Sequence, residues 1–285
     1  MRGTVRDDRI FLVTRIVLGL VILVLILAFN DLYLNPQATA QNFAWNIQPQ
    51  ITAVLMGAGY ISGAFMFIYA VFGRSWHRVK NSLLPVTVFA SSMLVATLLH
   101  FDRFLHDHLA FQFWFVIYII TPFLVPWVWF NNRRTDPGTP EPGDRIIPQA
   151  IRRIVGAVGM VWILACILGF IAPSLVMSVW PWKLTPLTAR VLCGWGALLA
   201  TGSLVISRDA RWSAWRYNMQ AIALWQALMV IGSILHRQDF NNGSLANVYF
   251  IGIVATLVGT VAFYTWMELG LSERLAPARP SRTPL

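Results

Sequence analysis

Side chains able to share a chemical task gather in two short stretches of this sequence. One reads His100-Phe101-Asp102-Arg103-Phe104-Leu105-His106-Asp107-His108, and the other His236-Arg237-Gln238-Asp239-Phe240. Four of the five histidines lie there. Imidazole beside carboxylate suits a divalent metal such as zinc, which takes three or four ligands at about 2.0–2.2 Å. His100, His106, His108 and His236 are the candidate metal ligands. Two imidazoles from related helices can instead ligate one haem iron axially. Thr97 and Ser233 precede His100 and His236 by three residues, which on a helix puts hydroxyl and ring on one face. Polar loops at a wet boundary account for the same residue types without any ligand.

A second pattern also occurs twice. Trp45-Asn-Ile-Gln-Pro49 matches Trp182-Lys-Leu-Thr-Pro186. Indole favours a membrane–water boundary, and Pro suits a helix start. Thr52 and Thr188 are placed to cap or back-bond. Boundary anchoring explains both loops; the functional alternative is a pair of loops framing a ligand entrance. The candidate ligand-binding set is therefore His100, His236, Thr97, Ser233, Asp102, Asp239, Trp45 and Trp182.

The composition says what must position these groups. Hydrophobic residues make up 57% of the 285 residues and charged residues 12%, against about 25% charge in soluble chains. This excludes a disordered chain, a disulfide scaffold and an ordinary soluble enzyme. Cys166 and Cys193 both fall inside apolar runs and read as inert packing. A window of about 20 residues finds eight apolar spans, at roughly 10–29, 51–72, 83–100, 112–130, 152–172, 187–206, 217–236 and 247–268. The fold class is all-α: a polytopic helical membrane protein with eight transmembrane helices. Runs such as Val21-Ile22-Leu23-Val24-Leu25 lack the alternation of a membrane barrel.

Of the basic residues, 17 fall in the terminal segments and loops of one side, and Arg103, Lys183, Arg190 and Arg237 on the other. Arg15 sits inside the first span and should snorkel. The asymmetry predicts a multi-pass protein of the bacterial inner (cytoplasmic) membrane with both termini cytoplasmic. It also explains the net charge of +10 without nucleic acid. Ala38-Thr39-Ala40 looks like a signal-cleavage site, but the preceding apolar run is long for a signal and has a counterpart later in the chain, so it reads as a retained span.

Met93-Leu-Val-Ala-Thr-Leu-Leu-His100 aligns with Met229-Val-Ile-Gly-Ser-Ile-Leu-His236, and Trp76 aligns with Trp212. An internal duplication follows: residues 1–130 as one four-helix repeat, 131–149 as a Pro- and Arg-containing cytoplasmic linker, 150–270 as the second repeat and 271–285 as a tail. An even number of spans per repeat makes the repeats parallel. Pro122 and Pro126 should kink the fourth span. No Walker A, Gly-x-Ser-x-Gly or His-Glu-x-x-His pattern occurs, and whether the chain is an enzyme stays open.

The expected function is binding or transport of a small molecule or lipid at an outer-face site between the repeats. The alternatives are a haem- or zinc-binding electron-transfer or hydrolase subunit, and an accessory subunit of a larger membrane complex. The expected partners are the bilayer, the small molecule or lipid, and other membrane subunits. Replacing His100 and His236 together is expected to cost more activity than replacing His77.

Overall fold

The computed structural model describes residues 7–241 and 243–270; the expected 271–285 tail lies outside the described residues. The helices are α1 (Leu12–Phe29), α2 (Thr39–Asn42), α3 (Gln50–Phe72), α4 (Lys80–Leu99), α5 (Leu109–Asn132), α6 (Gln149–Ile171), α7 (Pro173–Val179), α8 (Pro186–Ile206), α9 (Trp212–Leu235) and α10 (Ser244–Glu268). All but α2 and α7 are long and apolar enough to cross a membrane. The protein is thus a polytopic helical membrane protein with eight candidate spans. Backbone groups in hydrocarbon must be paired within their own segment, which is why helix is the outcome.

Past α1, the spanning helices begin earlier than hydropathy alone predicts. α4 starts at Lys80 and α9 at Trp212, because each carries a polar first turn that an apolar window skips. α5 runs unbroken in helical assignment through Pro122 and Pro126. α1 continues into a π-helical turn, Asn30–Leu34, whose Leu32 is fully buried. Thr39, in the stretch resembling a cleavage site, is buried and accepts the Ile47 N–H at 3.1 Å. This segment is packed into the bundle.

α3 packs on α1 and α9, α8 on α6 and α4, α4 on α5, and α9 on α10. Adding five to each label in the first half, and subtracting five in the second, returns the same set of pairs. α3 is the most enclosed span, whereas α1, α6 and α10 turn most of their apolar surface outward. Contiguous apolar exposure of that extent matches a lipid solvent. Glycines let the inner helices approach closely. A Cβ on Gly59 would lie 2.5 Å from the Trp195 ring, and one on Gly57 would lie 2.8 Å from the Tyr33 backbone nitrogen.

Two ends of the bundle differ in chemistry. The basic end gathers the N-terminal segment, the α3–α4 and α8–α9 turns, the α5–α6 linker and the end of α10. The opposite end is aromatic. There Trp45 meets Phe43, Phe104 and Trp114 at ring distances of 5.0–5.2 Å, and Trp182 meets Trp180, Phe240 and Tyr249 at 5.2–5.3 Å. Trp45 is 2% exposed and Trp182 fully buried. The expectation of boundary anchors is corrected for both: other rings cover them, so they fold the loops onto the helix ends.

Candidate functional site

The side chains expected to bind ligand at the aromatic end have mostly protein partners. The Thr97 hydroxyl donates to the Met93 carbonyl at 2.8 Å and accepts the Trp114 indole N–H at 2.9 Å. Ser233 donates to the Met229 carbonyl at 2.7 Å. The Trp182 indole donates to Thr52 at 2.9 Å. Thr188 and Thr185 form a reciprocal capping box at the start of α8. Asp102 is exposed, 3.1 Å from the Arg103 guanidinium. Asp239 accepts the Ile51 N–H at 2.8 Å, at the N-terminus of α3.

His100 and His236 cap α4 and α9 in the same way, yet their neighbours differ. His100 Nε2 lies 2.8 Å from Arg190 Nη1 of α8. A guanidinium only donates, so His100 accepts there. Burial and then the Arg190 charge hold its pKa below the usual 6.5. That environment repels a metal ion. His236 Nδ1 lies 3.9 Å from Asp239 in its own turn. His106 turns to its own loop: its Nε2 is 2.8 Å from the Phe101 carbonyl and its ring stacks on Phe101. Among the described residues, His100, His106, His108 and His236 form no close group of three metal-ligating side chains.

The basic end does form such a group: one ligand atom each from Asp8, His77 and Glu141 lie within 4.8 Å of one another. Three segments contribute them. The N-terminal segment is fixed by Asn132, whose amide accepts from Phe11 N and Thr14 Oγ1 at 2.8 Å and donates to the Arg9 carbonyl at 2.9 Å. The 3-10 turn Trp76–Arg78 carries His77. The linker brings Glu141, which Arg78 grips with two N–H groups at 2.9 and 2.7 Å. That bidentate pair raises the Arg78 pKa and keeps it charged.

His77 is fully buried. Its Nδ1 is 2.5 Å from Asp8 Oδ2, and its Nε2 is 2.8 Å from Glu141 Oε1 and 2.9 Å from Ser213 Oγ. Ser213, in the first turn of α9, donates to Asp144 Oδ2 at 2.5 Å. Asp8 also accepts the His77 backbone N–H at 3.0 Å, and Asp144 accepts the Ser213 backbone N–H at 3.0 Å. The two arrangements touch each other through the His77–Ser213 contact, which joins positions 136 apart in the chain. A cavity of about 610 Å³ lined by Asp7, Asp8, Arg9, Arg74, Ser75, Glu141 and Pro142 opens beside them.

This constellation has the order of an acid–base–nucleophile triad, Asp8–His77–Ser213. The proton count argues against that use. The single hydroxyl proton of Ser213 is donated to Asp144, so it is not held by His77 Nε2 and the imidazole does not activate Ser213. The cavity is lined by both acids and arginines and leaves Ser213 out. The polar partners of the ring are Asp8 Oδ2, Glu141 Oε1 and Ser213 Oγ. A neutral imidazole donates from one nitrogen only. With that proton on Nδ1 toward Asp8, Nε2 and Glu141 Oε1 face each other at 2.8 Å, an approach that calls for a further proton or a cation between them.

A neighbouring network braces the same end. Lys80 bridges Asp136 and Asp209, and Arg211 pairs with Asp136 at 2.9 Å and Asp209 at 2.7 Å. Burial pushes both carboxyl pKa values up, but hydrogen bonds from Arg211, with Lys80 adding, win and hold them below the ordinary 3.8. Arg15, expected to snorkel, reaches the Val71 and Gly73 carbonyls at the basic-end terminus of α3 and donates to both.

The sequence carries a signal for this site beyond the Trp76–Trp212 match. Asp8-Arg9-Ile10 recurs as Asp144-Arg145-Ile146, at the same offset that separates His77 from Ser213. The intervening apolar spans separate each tripeptide from its partner turn, so the convergence is visible only in three dimensions.

The chain matches no protein-family model, no curated protein and no solved structure.

Proposed function

We propose that this integral membrane protein consists of two parallel four-span repeats and binds a small ligand at its basic end, where the repeats meet around His77. By the positive-inside rule that end faces the cytoplasm of a bacterial inner membrane.

Paired contacts support the repeats. The Trp76 N–H donates to the Asp8 carbonyl at 2.7 Å, and the Trp212 N–H to the Arg145 carbonyl at 2.8 Å. At the other end Leu105 N donates to Ala44 O and Asn241 N to Pro181 O, both at 2.9 Å. In each pair, the second donor and acceptor follow the first at the His77–Ser213 offset or a single position beyond it. The axis relating the halves would run along the membrane normal and pass close to the His77–Ser213 contact.

The observation that carries the ligand site is the fully buried His77, contacted by oxygens from both halves, beside a cavity lined by three acids and two arginines. Burying such a group without a compensating partner is costly. At the equivalent position Ser213 meets Asp144 with a single donating hydroxyl. The departure from symmetry therefore marks one binding centre per chain.

A thermal-unfolding screen in lipid nanodiscs tests the reading. Small anions, cations, amines and lipid headgroups are screened against wild type, His77→Gln and the double variant His100→Ala, His236→Ala. The expected result is a ligand that raises the midpoint of wild type and of the double variant but not of His77→Gln. Stabilisation lost in the double variant and kept in His77→Gln would move the site to the aromatic end.

A further inference from the structure

We propose that the basic-end site takes a divalent first-row transition-metal ion, with His77 Nε2 and Glu141 as ligands and Asp8 holding the ring. This rests on the ligand-site reading above and names its ligand.

A metal-bound histidine characteristically donates its other ring N–H to a carboxylate, which fixes the tautomer and leaves a lone pair for the ion. Asp8 Oδ2, 2.5 Å from Nδ1, is in that position. Nε2 is then the ligand nitrogen. Glu141 Oε1 lies 2.8 Å and Ser213 Oγ 2.9 Å from it, with Asp144 directly behind Ser213. Tetrahedral ligands at about 2.1 Å from an ion stand about 3.4 Å apart. Opening these contacts by about half an ångström makes room. Of the two carboxylates that contact the ring, Glu141, with a side chain 24% exposed, is the less enclosed; Asp8 is 13% exposed.

Charge points the same way. Asp8, Glu141 and Asp144 bring three carboxylates to the site. Arg78 offsets one of them, and among the described residues neither Asp8 nor Asp144 forms an ion pair with Lys or Arg. A dication between Nε2 and Glu141 Oε1 answers their 2.8 Å approach, which a neutral imidazole with its proton toward Asp8 does not. One imidazole with carboxylate oxygens and no thiolate suits Mn²⁺, Fe²⁺, Co²⁺ or Zn²⁺. The adjoining cavity carries three carboxylates, Asp7, Asp8 and Glu141, against two guanidinium groups, Arg9 and Arg74, and reaches the proposed ligand Glu141.

Chelator-treated wild-type protein in nanodiscs is titrated with Co²⁺, followed by its visible absorption, and then with Zn²⁺ and Mn²⁺ by calorimetry. One ion per chain is expected. Glu141→Gln and Asp8→Asn should each weaken binding at least about tenfold, His77→Gln should abolish it, and His100→Ala with His236→Ala should leave it unchanged. Circular dichroism confirms folding of each variant; if His77→Gln does not fold, Glu141→Gln decides. Failure of wild type to bind any of the three ions overturns the proposal, as does full binding by both His77→Gln and Glu141→Gln. Should another ligand still stabilise the protein in a His77-dependent way, the metal assignment fails and the ligand-site reading stands. If no ligand depends on His77, both fail.

Discussion

Asp136 and Asp209 show how much the basic end relies on individual charges. Hydrogen bonds from Arg211, with Lys80 adding, outweigh burial and depress both carboxyl pKa values. A depressed pKa adds stability that is present above the unfolded value, near 3.8, and disappears as pH falls through the folded value. The unfolding midpoint should therefore drop steeply below about pH 4, and Asp136→Asn should flatten that drop while lowering the midpoint at neutral pH. Removing one partner of a buried ion network costs about 3–5 kcal/mol. A flat wild-type profile across the acid range would contradict the network. A second residue-level test concerns Thr97. Replacing Thr97 with Val leaves the buried Trp114 indole N–H without its acceptor, at a cost of about 1–3 kcal/mol. An unchanged midpoint would show that the indole does not rely on Thr97. At this scale the sequence is legible only in part. The i,i+3 spacing of Thr97 and His100 suggests a shared face, but His100 leaves the helix as its C-cap and the Thr97 hydroxyl turns to its own helix carbonyl. His77 carries no comparable signal, because it stands alone in sequence and its acids, Asp8 and Glu141, lie on distant segments with whole spans between.

At the scale of elements, the spans are the most legible feature, because about 20 apolar residues leave a chain few options in lipid. Their ends are less so: the polar first turns of α4 and α9 are helical because Lys80 and Arg211, flanking them, join the ion network. Close helix contacts give a graded prediction. A Cβ on Gly57 would meet the Tyr33 backbone at 2.8 Å, whereas one on Gly194 would meet the flexible Met93 methyl. Gly57→Ala must move a backbone and should destabilise by about 1–3 kcal/mol. Gly194→Ala should cost less, since Met93 can change rotamer. Unfolding midpoints of the two variants in the same nanodiscs check the order, and the reverse order would contradict the packing of the Asn30–Leu34 turn against α3. Trp45 and Trp182 show where element-level reading runs out. Residue type alone suggests a boundary, and only the folding of the loops back over the helix ends reveals that both indoles are enclosed.

For the whole molecule, the proposed repeats turn a set of separate contacts into one design. Each half supplies an N-terminal segment containing Asp-Arg-Ile, a turn that receives its aspartate, and an aromatic lid at the far end. The two halves then meet through unlike residues, His77 and Ser213, at equivalent positions. The register is readable from the sequence, but the side on which the equivalent sites touch is not, since it depends on how α3, α4, α8 and α9 cross. A double-mutant cycle across the proposed junction tests this most directly. Unfolding free energies in nanodiscs are measured for wild type, His77→Gln, Ser213→Ala and the variant carrying both. The account predicts that the two effects are not additive, with a coupling of about 0.5–3 kcal/mol, because the native side chains approach to 2.9 Å. Effects that add as those of distant, independent sites would contradict it.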